Sequence, residues 1–167
     1  RGCLDALAAS YSPPPTLMLT RSAAILEDID RIAALPRAWV GVSLPTVDDE
    51  VRRHFEPRAA TVTERLEVLR CARKSGVRTI AVVQPILPGP VNALGDALIE
   101  LADSVRVDVL RGEEGAGPDF DAASVSHARH DRWQQDRAAQ LRDRLRAAGV
   151  PLWTGELPPE LMSEPAP

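Results

Sequence analysis

Short apolar runs alternate with amphipathic stretches along the chain. Leu17, Met18 and Leu19 make the first run, after the breaker Pro13-Pro14-Pro15, and predict a buried strand over 16–20. Ser22 then caps a helix that carries Ile25, Leu26, Ile29 and Ile32 on one face and stops before Pro36. A second strand is predicted over 39–44, ended by Pro45, and Thr46 with Asp49 opens a short helix to about Phe55. Thr61 and Glu64 have capping-box spacing and start a helix with Val62, Leu66 and Leu69 along one side and Gly76 as its stop. A third strand over 79–85 follows, then a helix capped by Asn92 with Leu94, Leu98 and Leu101 inside, then a fourth strand over 105–110. A Gly-rich acidic loop over 112–121 leads to a long charged helix over 126–148, and 150–153 reads as a last short strand.

Strand–helix alternation with apolar strands specifies an α/β fold, a parallel sheet covered by helices. A doubly wound sheet and a (β/α) barrel both fit, although four strands are too few to close a barrel of the eight-strand kind. Alternation along the second strand puts Val40, Val42 and Leu44 on one face and Gly41 and Ser43 on the other. The first set suits helix packing, and the second leaves space and a hydroxyl. Val105, Val107 and Val109 share a face in the same way, opposite Arg106 and Asp108. Polar residues collect where strands end: Thr20, Arg21, Ser43, Gln84 and Arg111. Parallel sheets place ligand sites at that edge.

Composition narrows the classes. The 167 residues are 44% hydrophobic and 26% charged, which argues against a disordered or collagen-like chain. No apolar run approaches the ~20 residues of a membrane helix. Twenty basic residues against 24 acidic ones leave a net charge of -4, which argues against a mainly electrostatic nucleic-acid binder but not against a local basic patch. Cys3 and Cys71 are too few for a disulfide framework or for a three-Cys metal site built by this chain alone. The 112–117 stretch is neither a P-loop nor a dinucleotide fingerprint, and its glutamates would repel phosphate. His127, His130 and Asp131 have spacings that share a helix face, compatible with a metal or with a solvated surface. Cys71, beside Leu69 and Ala72, reads as an inert buried thiol. Arg52, Arg53, Arg58 and Arg65 either meet phosphates or form a solvated face paired with Asp48, Asp49, Glu50 and Glu56.

Several segments, in order, resemble one family. Leu17-Met18-Leu19-Thr20-Arg21-Ser22, Val40-Gly41-Val42-Ser43-Leu44-Pro45-Thr46, Glu56-Pro57-Arg58-Ala59 and Val82-Val83-Gln84-Pro85-Ile86-Leu87-Pro88-Gly89 resemble stretches of radical S-adenosylmethionine proteins. The branch is the one related to spore photoproduct lyase and DNA-repair photolyase-like proteins. The resemblance implies a partial (β/α)6 TIM-like barrel, of which residues 1–111 supply strands three to six as about four parallel β/α units. Residues 112–167 are then a C-terminal extension of loop, helix and Pro-rich tail. It further implies a [4Fe-4S] cluster held by three cysteines, with S-adenosylmethionine on the remaining iron and a 5'-deoxyadenosyl radical as the reactive product. That three-Cys motif is absent from this chain.

The site residues follow from the resemblance, position by position. Arg21 stands near the cofactor carboxylate, Ser43 at the cofactor-facing serine, and Gln84 and Pro85 where backbone passes the adenine. Glu56 and Arg58 brace the site. The expectation is a fragment of a radical enzyme, lyase-like and cytoplasmic, inactive without the part that carries the cluster ligands. The opening residue, Arg1, fits a fragment or a processed chain. The alternatives are a clusterless module that binds S-adenosylmethionine, a nucleotide or a partner, and a metal hydrolase built on His127 and His130. Expected partners are S-adenosylmethionine and a nucleic-acid substrate of the full-length protein. No membrane is expected, and a second copy is expected to meet the exposed edge of the first strand.

Overall fold

The computed structural model describes residues 1–110 and 117–162. Four parallel strands make one sheet in chain order: β1 (Thr16–Thr20), β2 (Ala38–Ser43), β3 (Arg78–Val83) and β4 (Ser104–Val107). The helices are α1 (Gly2–Ala8), α2 (Ile29–Ala33), α3 (Asp49–Phe55), α4 (Val62–Lys74), α5 (Val91–Leu101), α6 (Asp131–Ala147) and α7 (Pro159–Met162). One face of the sheet carries the main core. Val40, Val42, Ala81, Val83, Val105 and Val107 meet Ile32 of α2, Val68 and Leu69 of α4, Leu94 and Leu98 of α5, and Leu141 and Leu145 of α6. Among the described residues no crossover helix covers the other face, where Trp39, Ile80 and Val82 meet Trp153 and Leu161. Consecutive strands with their long helices on one side describe an open, partial TIM-like barrel and set aside the doubly wound alternative.

Local chemistry explains each element. Thr61 and Glu64 form the expected capping box: Thr61 Oγ1 accepts from Glu64 N–H at 3.2 Å, and Glu64 Oε2 accepts from Thr61 N–H at 2.7 Å. The chain leaves α4 through Gly76, whose φ of +76° is a left-handed conformation that glycine adopts freely. After β4 the chain returns through α6, and Leu152 bridges to Val105 in parallel, so the last strand of the sequence pattern is a single bridge.

Four boundaries differ from the sequence expectation. The stretch after Ser22 is a 3-10 turn over Ala23–Asp28 followed by α2, because Asp28, at φ -117°, interrupts the helix. Helix α3 is capped by Asp48, whose Oδ1 accepts from Glu50 N–H and Val51 N–H. Buried Thr46 instead donates to the Pro88 carbonyl at 2.7 Å. Pro90, not Asn92, precedes α5, and its carbonyl takes the Leu94 N–H. The long helix begins at Asp131, because His130 is extended and Ser126–Arg129 is a 3-10 turn. His127 and His130 therefore share no helix face. The Gly-rich loop with Arg111 lies outside the described residues up to 116, as does the tail from 163.

Gly41 does not leave open space. A Cβ there would lie 2.8 Å from Ile80 Cγ1 and 3.0 Å from Leu19 Cδ1. Neighbouring side chains occupy the volume, so the small residue is a packing requirement.

Candidate functional site

Parallel strands deliver their C-terminal ends to one rim, and the loops that leave β1 and β2 meet there. Backbone joins them first, as Ala60 N–H donates to the Arg21 carbonyl at 3.0 Å. Side chains then build a chain of charges. Arg21 donates to Glu56 Oε1 at 2.8 Å, and buried Arg65 donates to Glu56 Oε2 at 2.5 Å. Arg65 also donates to the Ser43 carbonyl at the end of β2 (2.9 Å) and to the Ala60 carbonyl (3.0 Å). One carboxylate is thus shared by two guanidiniums, and one of those is fixed to the sheet.

A second arginine supports the same loop from α3. Buried Arg52 binds Asp49 through Nε and Nη2, both at 3.0 Å, and gives Nη1 to the carbonyls of Glu56 and Ala59 at 3.2 Å. The hydrogen bonds from Arg52, and a further one from Val62 N–H, hold the Asp49 carboxyl down at about 2. The arginine cluster is therefore not the uniform solvated face that its spacing allowed. Arg52 and Arg65 are 4% and 1% exposed and act as struts, while Arg53 and Arg58 face solvent. Residues 56–60 become a loop tied down by two buried cations, and a pocket of about 410 Å³ opens beside it, lined by Arg21, Ser22, Phe55, Glu56, Pro57, Arg58 and Ala59.

The expected site residues are placed unequally. Arg21, Glu56 and Arg58 share the pocket wall. Ser43 reaches this group only through its carbonyl, taken by Arg65. Gln84 and Pro85, joined by a cis peptide bond, lie just past the end of β3 and do not line the pocket. Register sets Ser43 beside Val82, and Val82 beside Arg106, on the face opposite the main core. Arg106 pairs there with Asp108 at 3.2 Å, and its guanidinium lies 5.6 Å from the Trp153 ring centroid. Sequence reasoning counted Arg65 only within the arginine cluster and missed its role as a buried strut. Its signal was weak, because an arginine on the apolar side of an amphipathic helix looks like any other helix arginine.

The iron–sulfur cluster finds no ligand set here. Among the described residues no three His, Cys, Asp or Glu side chains come together in a metal-binding group. Cys3 is exposed on α1, and half-buried Cys71 donates to Glu67 Oε1 at 3.2 Å. That hydrogen bond to a carboxylate raises the thiol's pKa and keeps it protonated. His127 packs edge-on against Trp133, and His54 Nε2 lies 2.6 Å from the Asp119 carbonyl. Among the described residues no helix is long and apolar enough to cross a membrane.

An open parallel barrel with its polar groups gathered at the C-terminal rim is the architecture of a class of ligand-binding barrel enzymes. The chain belongs to the radical S-adenosylmethionine superfamily, whose family model matches residues 6–100. It is 34% identical over 105 residues to the "Uncharacterized protein ORF301" of Acidianus two-tailed virus, a stretch that is 58% of this chain and 34% of that protein. The match therefore spans about a third of the length of that curated relative. Among solved structures, a mutant spore photoproduct lyase with bound AdoMet and dinucleoside spore photoproduct aligns with 85% of this chain and 39% of its own. The sequence identity is 14% and the TM-score 0.49.

Proposed function

We propose that this chain forms the cofactor-side strands of a radical S-adenosylmethionine enzyme whose cluster ligands lie outside residues 1–167. The observation that carries the reading is the Arg21–Glu56–Arg65–Ser43 chain at the C-terminal rim of a sheet whose family is shown by residues 6–100. Arg21, 61% exposed at its side chain, would hold the cofactor's carboxylate through its guanidinium fork. The Ser43 hydroxyl and the backbone at Gln84 and Pro85 border the nucleoside end. Glu56 orients Arg21, and Arg65 fixes Glu56 to β2. In the full-length protein the cofactor and cluster together would supply a 5'-deoxyadenosyl radical, and no residue described here can take the place of the cluster's thiolates. A DNA-lesion lyase type of reaction, on a nucleic-acid substrate, is the form that the sequence resemblance supports.

Two measurements test this. Anaerobic addition of iron and sulfide to residues 1–167 is expected to give no stoichiometric [4Fe-4S] absorbance, and a stoichiometric cluster would overturn the assignment of its ligands. Calorimetry on the full-length protein is expected to show S-adenosylmethionine binding that weakens about tenfold in Arg21→Gln, the order of one charge-assisted hydrogen bond. Tight binding of S-adenosylmethionine to residues 1–167 without iron would instead favour the clusterless binding module.

A further inference from the structure

Arg52, Arg53, Arg58 and Arg65 lie close in sequence, and the fold gives them different partners. Arg52 is bound to Asp49, Arg53 lies 3.5 Å from the same carboxylate, and Arg65 is bound to Glu56. Arg58 is exposed and has no ion pair or hydrogen bond among the described residues. It lines the pocket of about 410 Å³ together with Arg21. Glu56, the one carboxylate in that wall, already spends one oxygen on Arg21 and the other on Arg65. The pocket wall carries two cations (Arg21 and Arg58) against that one anion, a surplus of one positive charge in a chain whose net charge is -4. The loop that presents Arg58 is held by Arg52 at the Glu56 and Ala59 carbonyls and by Arg65 at the Ala60 carbonyl. Little ordering remains to be done when a ligand arrives. Phe55 and Pro57 add an apolar wall, and Phe55 is steadied against Phe120 at 4.8 Å between ring centroids.

We propose that this pocket is a phosphate-binding site for a nucleotide or nucleic-acid ligand. Arg58 and Arg21 donate to the phosphate oxygens, and Phe55 and Pro57 pack against the attached sugar or base. A carboxylate satisfies one guanidinium fork. A phosphate offers oxygens to two. The site shares Arg21 with the cofactor reading but does not depend on it, because Arg58 supplies the unmatched charge.

The test uses the full-length protein and three probes: inorganic phosphate, adenosine monophosphate and a labelled single-stranded oligonucleotide. Arg58→Gln removes an exposed side chain and leaves the fold intact. Binding in this variant is expected to fall about three- to tenfold, and its salt dependence to flatten by about 0.7 in the log–log slope for the oligonucleotide. Arg132→Gln, an exposed arginine on α6, is expected to change neither. Loss confined to the oligonucleotide identifies a nucleic-acid backbone as the source of the phosphate, and loss for the monophosphate alone identifies a free nucleotide. Phosphate binding without S-adenosylmethionine binding would sink the cofactor reading and leave this one standing. Wild-type affinity in Arg58→Gln, no binding of any probe, or an equal drop in Arg132→Gln would overturn it. So would one-for-one competition by S-adenosylmethionine with equal loss of its own affinity in Arg58→Gln, because the pocket would then belong to the cofactor.

Discussion

Asp49 shows how much one side chain can hold in place. Its carboxylate receives Arg52 from its own helix and the backbone N–H of Val62 from the next, so it joins α3 to α4 beneath the loop over 56–60. Those bonds depress its folded pKa to about 2, below the ~3.9 of an unfolded aspartate. A depressed carboxylate stabilises the fold above its unfolded pKa, and that contribution is lost as pH falls toward the folded value. Acid unfolding of the wild type should therefore steepen between about pH 4 and pH 2. Asp49→Asn is expected to be less stable at neutral pH and to show a flatter decline across that window, read by circular dichroism at each pH. An unchanged acid limb would show that Asp49 carries no such linkage. Glu64 and Glu67 are shifted in the same direction, by hydrogen bonds from Thr61 and from Cys71, and add to the slope that remains.

At the scale of elements, α6 is fastened to the sheet by a residue that the hydrophobic pattern passed over. Buried Gln134 donates from Nε2 to the carbonyls of Ile86 (2.9 Å) and Ala128 (2.8 Å) and accepts from Leu110 N–H at 3.1 Å. Its side chain satisfies two backbone groups left over where β3 and β4 have ended and a third in the 3-10 turn before α6. The same bond explains why β4 stops early: Asp108 N–H still reaches the Val83 carbonyl, but Leu110 N–H has turned to Gln134. Gln134→Ala leaves these groups unpaired and is expected to cost about 1–3 kcal/mol in urea unfolding. A change below ~0.5 kcal/mol would mean that water replaces the amide. The elements legible in the sequence were those set by local chemistry. The Thr61–Glu64 box, the Gly76 exit and the paired faces of Val40, Val42 and Leu44 all depend on neighbours within a few residues. What could not be read depended on partners far along the chain. The burial of Arg65 needs Ser43 and Glu56, and the filling of the space at Gly41 needs Ile80 and Leu19. The candidate site was half legible for the same reason. Arg21, Glu56 and Arg58 were named from motif order, whereas the strut that joins them has no motif of its own.

The molecule as a whole is an open sheet with an unpaired side. β1 pairs only with β2 among the described strands, and Leu19 on it is 52% exposed. An uncovered strand of this kind is a template for a second chain. Sedimentation of residues 1–167 is expected to show concentration-dependent association that Leu19→Lys reduces, and a monomer at all concentrations would show that the edge is protected.

Along the strand axis the inner face changes character from end to end. Trp39, Ile80, Trp153 and Leu161 close off its lower half, while Ser43, Arg106 and Asp108 stand in the upper half. The C-terminal segment therefore lays an apolar floor, Trp153 and Leu161, against Trp39 and Ile80. A charge entering from the rim is screened at first and less so with each step down. Any anion drawn in by the arginines above meets a rising desolvation cost below, which is a physical reason for it to remain at the rim.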